Sequence, residues 1–316
     1  MVAATVWLCP GQGAQTVGMG KDLAERFPAA REMFQAIDDT LGFGLSRLMF
    51  EGPEQELTAT HNAQPAILAH SAAVFAVMHG HPRAVAAAGH SLGEYSAYVT
   101  AGALTPTDAA ALVRRRGALM HQAGTERPGT MAAVLGLATA EVETACREAS
   151  TGGAVAVAAN LNAPDQTVIS GDRAGIARAG AACKARGARR VIPLKVSGAF
   201  HSPLMAPAAG PLRAALDETP FSDPAFPVVA NATAEPVRAA GPARRLLADQ
   251  LTAPVRWVAC VQRAAELAGE GAGAGARFVE IGPGNVLAGL VKRILRDPCV
   301  VSLGTADEVA RFLEAA

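Results

Sequence analysis

The chain has 316 residues, enough for one large domain or for a large domain carrying a smaller one, and half of them are hydrophobic, so a sizeable core can form. Charged residues make up only 18%, and Lys plus Arg balances Asp plus Glu at 28 each. With no net field the chain is expected to bind neither nucleic acid nor an anionic membrane, and any anionic substrate must be captured by local charges.

Ala4–Cys9 is a short apolar run stopped by Pro-Gly and predicts a buried strand. Helical spacing follows over 19–27, 29–41 and 64–78. Val85–Gly89 predicts a second strand, with helices over 91–101 and 107–122, the latter capped by Thr105 or Thr107. Strand followed by helix, repeated, indicates a parallel sheet flanked by helices. From Thr130 the rhythm changes: strand 131–137, helix 139–150, and strands 154–160 and 166–171 joined by Asn162-Ala163-Pro164-Asp165. Helix 175–186 and strand 190–196 complete a βαββαβ order, the ferredoxin-like pattern. A small domain inserted at 130–196 is therefore expected within a larger one formed by 1–129 and 197–316. Beyond it lie strands near 227–231 and 277–281 and helices near 242–250, 258–267 and 286–294. Gly269–Gly275 is expected to be a flexible link.

The five cysteines (Cys9, Cys146, Cys183, Cys260, Cys299) lie far apart without a CxxC pair, which argues against a disulfide framework or a zinc site. The N-terminus lacks a basic leader, and no apolar run approaches the roughly 18 residues of a membrane span. A cytoplasmic protein without metal or cofactor is the expectation.

Gly89-His90-Ser91-Leu92-Gly93 matches G-x-S-x-G between a predicted strand and a predicted helix. A nucleophile on such a sharp turn stands clear of the sheet, and the helix aims its first amides, that of Leu92 among them, at a developing oxyanion. A serine hydroxyl needs a base. Of seven histidines, His201 stands alone after a predicted strand, where loops carry function, although a lone histidine is often structural. His90 should point to the other side of the turn, and His61, His70, His79, His81 and His121 suit the surface or a satisfied core. Asp165 and Asp172 fall in the inserted unit, so a Ser–His dyad is favoured, the histidine being held by a backbone carbonyl. Ala109, Leu112, Val113, Leu119 and Met120 share one helix face, and Arg116 lies in its middle. A guanidinium there needs a structural ion pair or a polar cavity in which it clamps a substrate carboxylate. Gly11-Gln12-Gly13 is either a tight turn or the source of a second oxyanion amide, at Gln12.

Together with Gly198-Ala199-Phe200-His201-Ser202-Pro203-Leu204-Met205 and Glu280-Ile281-Gly282-Pro283-Gly284, these motifs resemble, in order and nearly end to end, the malonyl-CoA:acyl carrier protein transacylase family. The resemblance implies an α/β-hydrolase-like domain with a parallel sheet core and an inserted ferredoxin-like subdomain. It implies ping-pong transfer of malonyl from malonyl-CoA through a serine ester to the phosphopantetheine thiol of acyl carrier protein. A stand-alone acyltransferase loading a polyketide synthase carrier protein shares the same residues, and a hydrolase is a more distant rival. By position Ser91 is nucleophile, His201 base and Arg116 carboxylate ligand, while Gln12 and Leu92 supply oxyanion amides. The backbone carbonyl of Gln250 would orient the histidine, and Asn160, Asn162 and Asn231 would neighbour the cleft. Leu92 and Phe200 resemble the malonyl-selecting versions, in which a bulky Phe crowds a methyl branch, an effect worth about 1–3 kcal/mol. Lys184, Arg186, Arg189, Arg190, Lys292, Arg293 and Arg296 are candidates to receive an acidic carrier protein.

Overall fold

Thr-Val-Trp-Leu-Cys at the first strand is apolar on both faces, and both faces are covered. Trp7 and Cys9 pack into one hydrophobic cluster while Val6 and Leu8 pack into another, as expected for a central strand between two helical layers. The computed structural model describes residues 4–79, 81–82, 84–269 and 276–315. The segment 270–275, most of the link expected above, lies outside the described residues, as does Gly80 of the His79-Gly80-His81 run.

Ten strands occur among the described residues: β1 (Thr5–Cys9), β2 (Ala84–Gly89), β3 (Thr130–Leu135), β4 (Ala156–Ala163), β5 (Gln166–Gly171), β6 (Arg190–Pro193), β7 (Val228–Val229), β8 (Pro236–Val237), β9 (Arg277–Ile281) and β10 (Cys299–Leu303). The larger sheet has the order β10-β9-β1-β2-β7-β8. Its pairs are parallel except for β7 with β8. The protein is thus a mixed α/β molecule with a largely parallel main sheet.

The second sheet, β4-β5-β3-β6, is antiparallel throughout. Its connections run β3, helix Thr139–Ala149, β4, β5, helix Arg173–Ala185, β6. Val142, Cys146, Ile176, Ala179 and Cys183 from the two helices form its core with Val134 and Ile169. β4 is tied to the segment before helix Trp257–Gly269 by an isolated bridge, where Val255 donates to the Ala159 carbonyl at 2.8 Å and accepts from Leu161 N–H at 2.9 Å.

Several boundaries differ from expectation. Asn162 and Ala163 belong to β4, so only Pro164 and Asp165 form the turn. β6 ends at Pro193, and the residues after it run along the cleft. The helix expected from 64 begins at Thr60 and is buried almost all round, which leaves no polar face to mark its start. The cap of helix Pro106–Glu126 is Thr105, whose hydroxyl accepts from Asp108 N–H at 3.1 Å. Helices Leu45–Glu51, Glu54–Thr58, Ala206–Glu218 and Ala306–Glu314 and strands β8 and β10 were not expected. No described helix is long and apolar enough to cross a membrane. No described cluster of side chains could hold a metal, and all five cysteines are free thiols.

Candidate active site

The carboxyl ends of the adjacent strands β1 and β2 open on one cleft, the usual location in a parallel α/β sheet. Ser91 follows β2 on a backbone with φ +53°, a conformation that costs free energy in a non-glycine residue and lifts the side chain off the sheet. The flanking glycines make the turn possible by close approach. A Cβ on Gly93 would lie 2.1 Å from the Cys9 carbonyl oxygen, and one on Gly89 would lie 1.9 Å from the Gly93 backbone. Asn231, just beyond β7, locks the turn. Its Oδ1 accepts Ser91 N–H at 2.7 Å and its Nδ2 donates to the Gly89 carbonyl at 2.7 Å.

Ser91 Oγ lies 2.7 Å from His201 Nε2. His201 Nδ1 lies 2.9 Å from the Gln250 carbonyl oxygen, which can only accept, so the proton sits on Nδ1 and Nε2 is free to take another. Neither candidate acid reaches this histidine. Asp165 pairs with Arg189 and Arg293, and Asp172 caps the helix Arg173–Ala185. Burial, and then the nearby Arg116 guanidinium, lower the His201 pKa to about 3, against a partial rise from the Gln250 hydrogen bond. A lowered value means the ring stays neutral as pH falls through the ordinary histidine range near 6.5. Nitrogen-15 NMR of the imidazole is accordingly expected to report the neutral Nδ1–H tautomer still at pH 5. Protonation of His201 above that pH would contradict this account of its environment.

Arg116 is 1% exposed and has no carboxylate within ion-pair distance among the described residues, which disfavours the structural ion pair. Its Nη1 donates to Gln64 Oε1 at 2.6 Å, while Nη2 donates to Gln250 Oε1 at 2.9 Å and Ser91 Oγ at 3.2 Å. The Tyr95 ring lies 5.5 Å from the guanidinium carbon. A buried cation hydrogen-bonded only to neutral partners beside a serine hydroxyl can receive an anion.

The cleft has a volume of about 690 Å³ and is lined by Ser91, His201 and Arg116 together with Gln12, Leu92, Phe200 and Asn160. The Gln12 and Leu92 backbone N–H groups donate to no acceptor among the described residues, which leaves both available to an oxyanion. Asn162 does not line the cleft. Its Oδ1 lies 2.8 Å from His90 Nε2, and the His90 ring, although the residue borders the cleft, packs 5.5 Å from the Trp257 ring on the far side of the turn. His70 is a buried core histidine beside the Gly304 backbone, and burial lowers its pKa to about 4.

A family model described as the acyl transferase domain matches residues 6–312. A Bacillus subtilis (strain 168) protein named malonyl CoA-acyl carrier protein transacylase is 44% identical over 291 residues, covering 92% of this chain and 90% of that protein. The chain belongs to the malonyl-CoA:acyl carrier protein transacylase family. An Escherichia coli K12 relative of the same name is 41% identical, over 96% of this chain and 97% of its own. Among solved structures, the malonyl-CoA:acyl carrier protein transacylase of Xanthomonas oryzae superposes with a TM-score of 0.93 at 40% identity, covering 100% of this chain and 99% of that one. A malonyl-transacylase solved in complex with a type II polyketide synthase acyl-carrier protein gives 0.93 at 39% identity, covering 99% and 100%.

Two residues of this family site escaped the sequence reading. Gln64, a partner of Arg116, sits on a helix with no polar face to single it out. Glu94 lies within the serine motif, yet a glutamate in a first helical turn ordinarily signals only a solvated N-terminus.

Proposed function

We propose that the chain transfers malonyl from malonyl-CoA to the phosphopantetheine thiol of an acyl carrier protein by way of a malonyl ester on Ser91. The observation that carries this is Arg116, a buried cation with no ion pair among the described residues and 3.2 Å from Ser91 Oγ, where a carboxylate one methylene beyond an ester carbonyl can reach it. Ser91 Oγ attacks the thioester carbon while His201 Nε2 takes its proton, and the Gln12 and Leu92 amides hold the oxyanion. Collapse breaks the carbon–sulfur bond, and the departing coenzyme A sulfur takes the proton from His201. In the second half the phosphopantetheine thiol gives its proton to His201 and attacks the ester, and Ser91 recovers the proton as it leaves. Phe200 and Leu92 border the acyl methylene and Asn160 the far wall.

The same proposal has residues 1–129 and 197–316 forming an α/β-hydrolase-like catalytic domain. Residues 130–196 form an inserted ferredoxin-like subdomain, supported by the βαββαβ connectivity and the order β4-β5-β3-β6. Free thiols throughout suit a cytoplasmic location. For carrier docking, Arg186 is already paired with Glu148 and Arg293 with Asp165, whereas Lys184, Arg190 and Lys292 have no ion pair among the described residues. A polyketide synthase carrier as acceptor is the second reading, favoured by the likeness to the transacylase solved with such a partner.

Incubation with malonyl-CoA should add the mass of one malonyl group to the intact protein, and holo acyl carrier protein should then remove it. Loss of the adduct to water faster than to any carrier protein would replace this proposal with a hydrolase. Chasing with fatty-acid and polyketide carriers in parallel separates the two acceptors.

A further inference from the structure

One buried carboxylate beside the cleft has no part in the steps above. Glu94 belongs to the first turn of helix Gly93–Thr100, but its side chain turns inward and is wholly buried. Its Oε2 accepts Asn231 N–H at 2.9 Å and Gln250 Nε2 at 2.7 Å, while its Oε1 has no partner. The Gln250 amide therefore bridges two charged groups. Its Nε2 end faces Glu94 and the Ser91 carbonyl at 3.0 Å, and its Oε1 end accepts from Arg116 Nη2 at 2.9 Å.

An amide has unlike ends, and here only one orientation is tolerable. Turned over, its NH2 would meet the guanidinium donor to donor, and its oxygen would meet the carboxylate acceptor to acceptor. An ionised carboxylate is an acceptor only, so Glu94 selects the orientation that Arg116 needs. We propose that Glu94 is a positioning residue: it fixes the polarity of the Gln250 side chain and through it holds the Arg116 guanidinium toward the acyl pocket. This rests on Arg116 being the carboxylate clamp of the proposed function. Burial pushes the Glu94 carboxyl up to about 7 against the pull of Asn231, Gln250 and Arg116, so a test at pH 8 addresses the ionised form.

The test compares kcat/KM for malonyl-CoA and acetyl-CoA at pH 8 in the wild type, Glu94→Ala, Glu94→Gln, and Glu94→Ala combined with Arg116→Ala. Glu94→Ala should lower the malonyl-to-acetyl ratio about tenfold or more, the scale of one lost hydrogen bond to a charged group. Glutamine at 94 must point its amide oxygen at Asn231 N–H, and that oxygen also accepts from Gln250, so Glu94→Gln should keep the ratio within about threefold of wild type. On the Arg116→Ala background, Glu94→Ala should leave the ratio unmoved. An unchanged ratio in Glu94→Ala, or a fall in Glu94→Gln as deep as in Glu94→Ala, overturns the proposal. Should Glu94→Ala not fold, Glu94→Asp, which withdraws the carboxylate by one methylene, takes its place with the same expected fall. A wild type that takes up no malonyl would sink the transacylase function instead, and so the two failures are told apart.

Discussion

Ser91→Ala is expected to abolish the malonyl adduct and to lower transfer by about 10⁴-fold or more, because the covalent route has no substitute oxygen. His201→Ala should lower it by about 10²–10⁴-fold, the usual contribution of a positioned general base. The 2.7 Å contact between Ser91 Oγ and His201 Nε2 makes the two residues one unit. The double variant should therefore be no worse than Ser91→Ala alone. Both effects should fall on acylation and on deacylation, since in the proposed cycle the same nitrogen receives the serine proton in one half-reaction and the thiol proton in the other. Single-turnover kinetics with each half run separately would show this. A His201→Ala protein that acylates slowly but delivers malonyl to carrier protein at the wild-type rate would remove His201 from the second half.

Arg116→Ala should cost malonyl-CoA about 10²–10³-fold in kcat/KM, corresponding to two hydrogen bonds to a charged group. Acetyl-CoA should be retained or improved, because a neutral acyl group makes no ion pair with the guanidinium. The Nη2 contact with Ser91 Oγ adds a smaller loss common to both donors. Arg116→Lys is not a conservative replacement: one ammonium cannot serve both Gln64 and Gln250, which the planar guanidinium engages on two nitrogens. Equal losses for charged and neutral donors would dismiss the clamp.

Much of this site was legible because its chemistry coincides with local sequence rules. Gly89 and Gly93 bracket Ser91 for a steric reason expressed within five residues, and the 3.6-residue period alone put Arg116 on the face that proves buried. What was illegible depends on contacts between distant segments. Nothing near Gln64 says that helix Thr60–Val77 lies against helix Pro106–Glu126 and brings its amide to Arg116. Glu94 carries no local sign of burial, and the link from Asn231 to Ser91 spans 140 positions. Asn162 borders the cleft only through His90, because β4 runs three residues past the expected strand end and sets Asn162 against that ring. Strand β10 pairs only with β9, and a five-residue edge strand offers too short a pattern to stand out.

The cleft draws its walls from two differently built sheets. The reacting atoms and their buried supports stand on segments around the parallel sheet, whereas Met131 and Asn160 reach the same cavity from the antiparallel one. Tuning can therefore be separated from catalysis. Substitution at Met131 or Asn160 can reshape the cavity without touching a hydrogen bond of Ser91, His201 or Gln250. The bridge at Val255 holds the chamber wall in register with the loop that supplies Gln250. Variation in what the cleft accepts can therefore accumulate on the antiparallel wall as well as at Leu92 and Phe200.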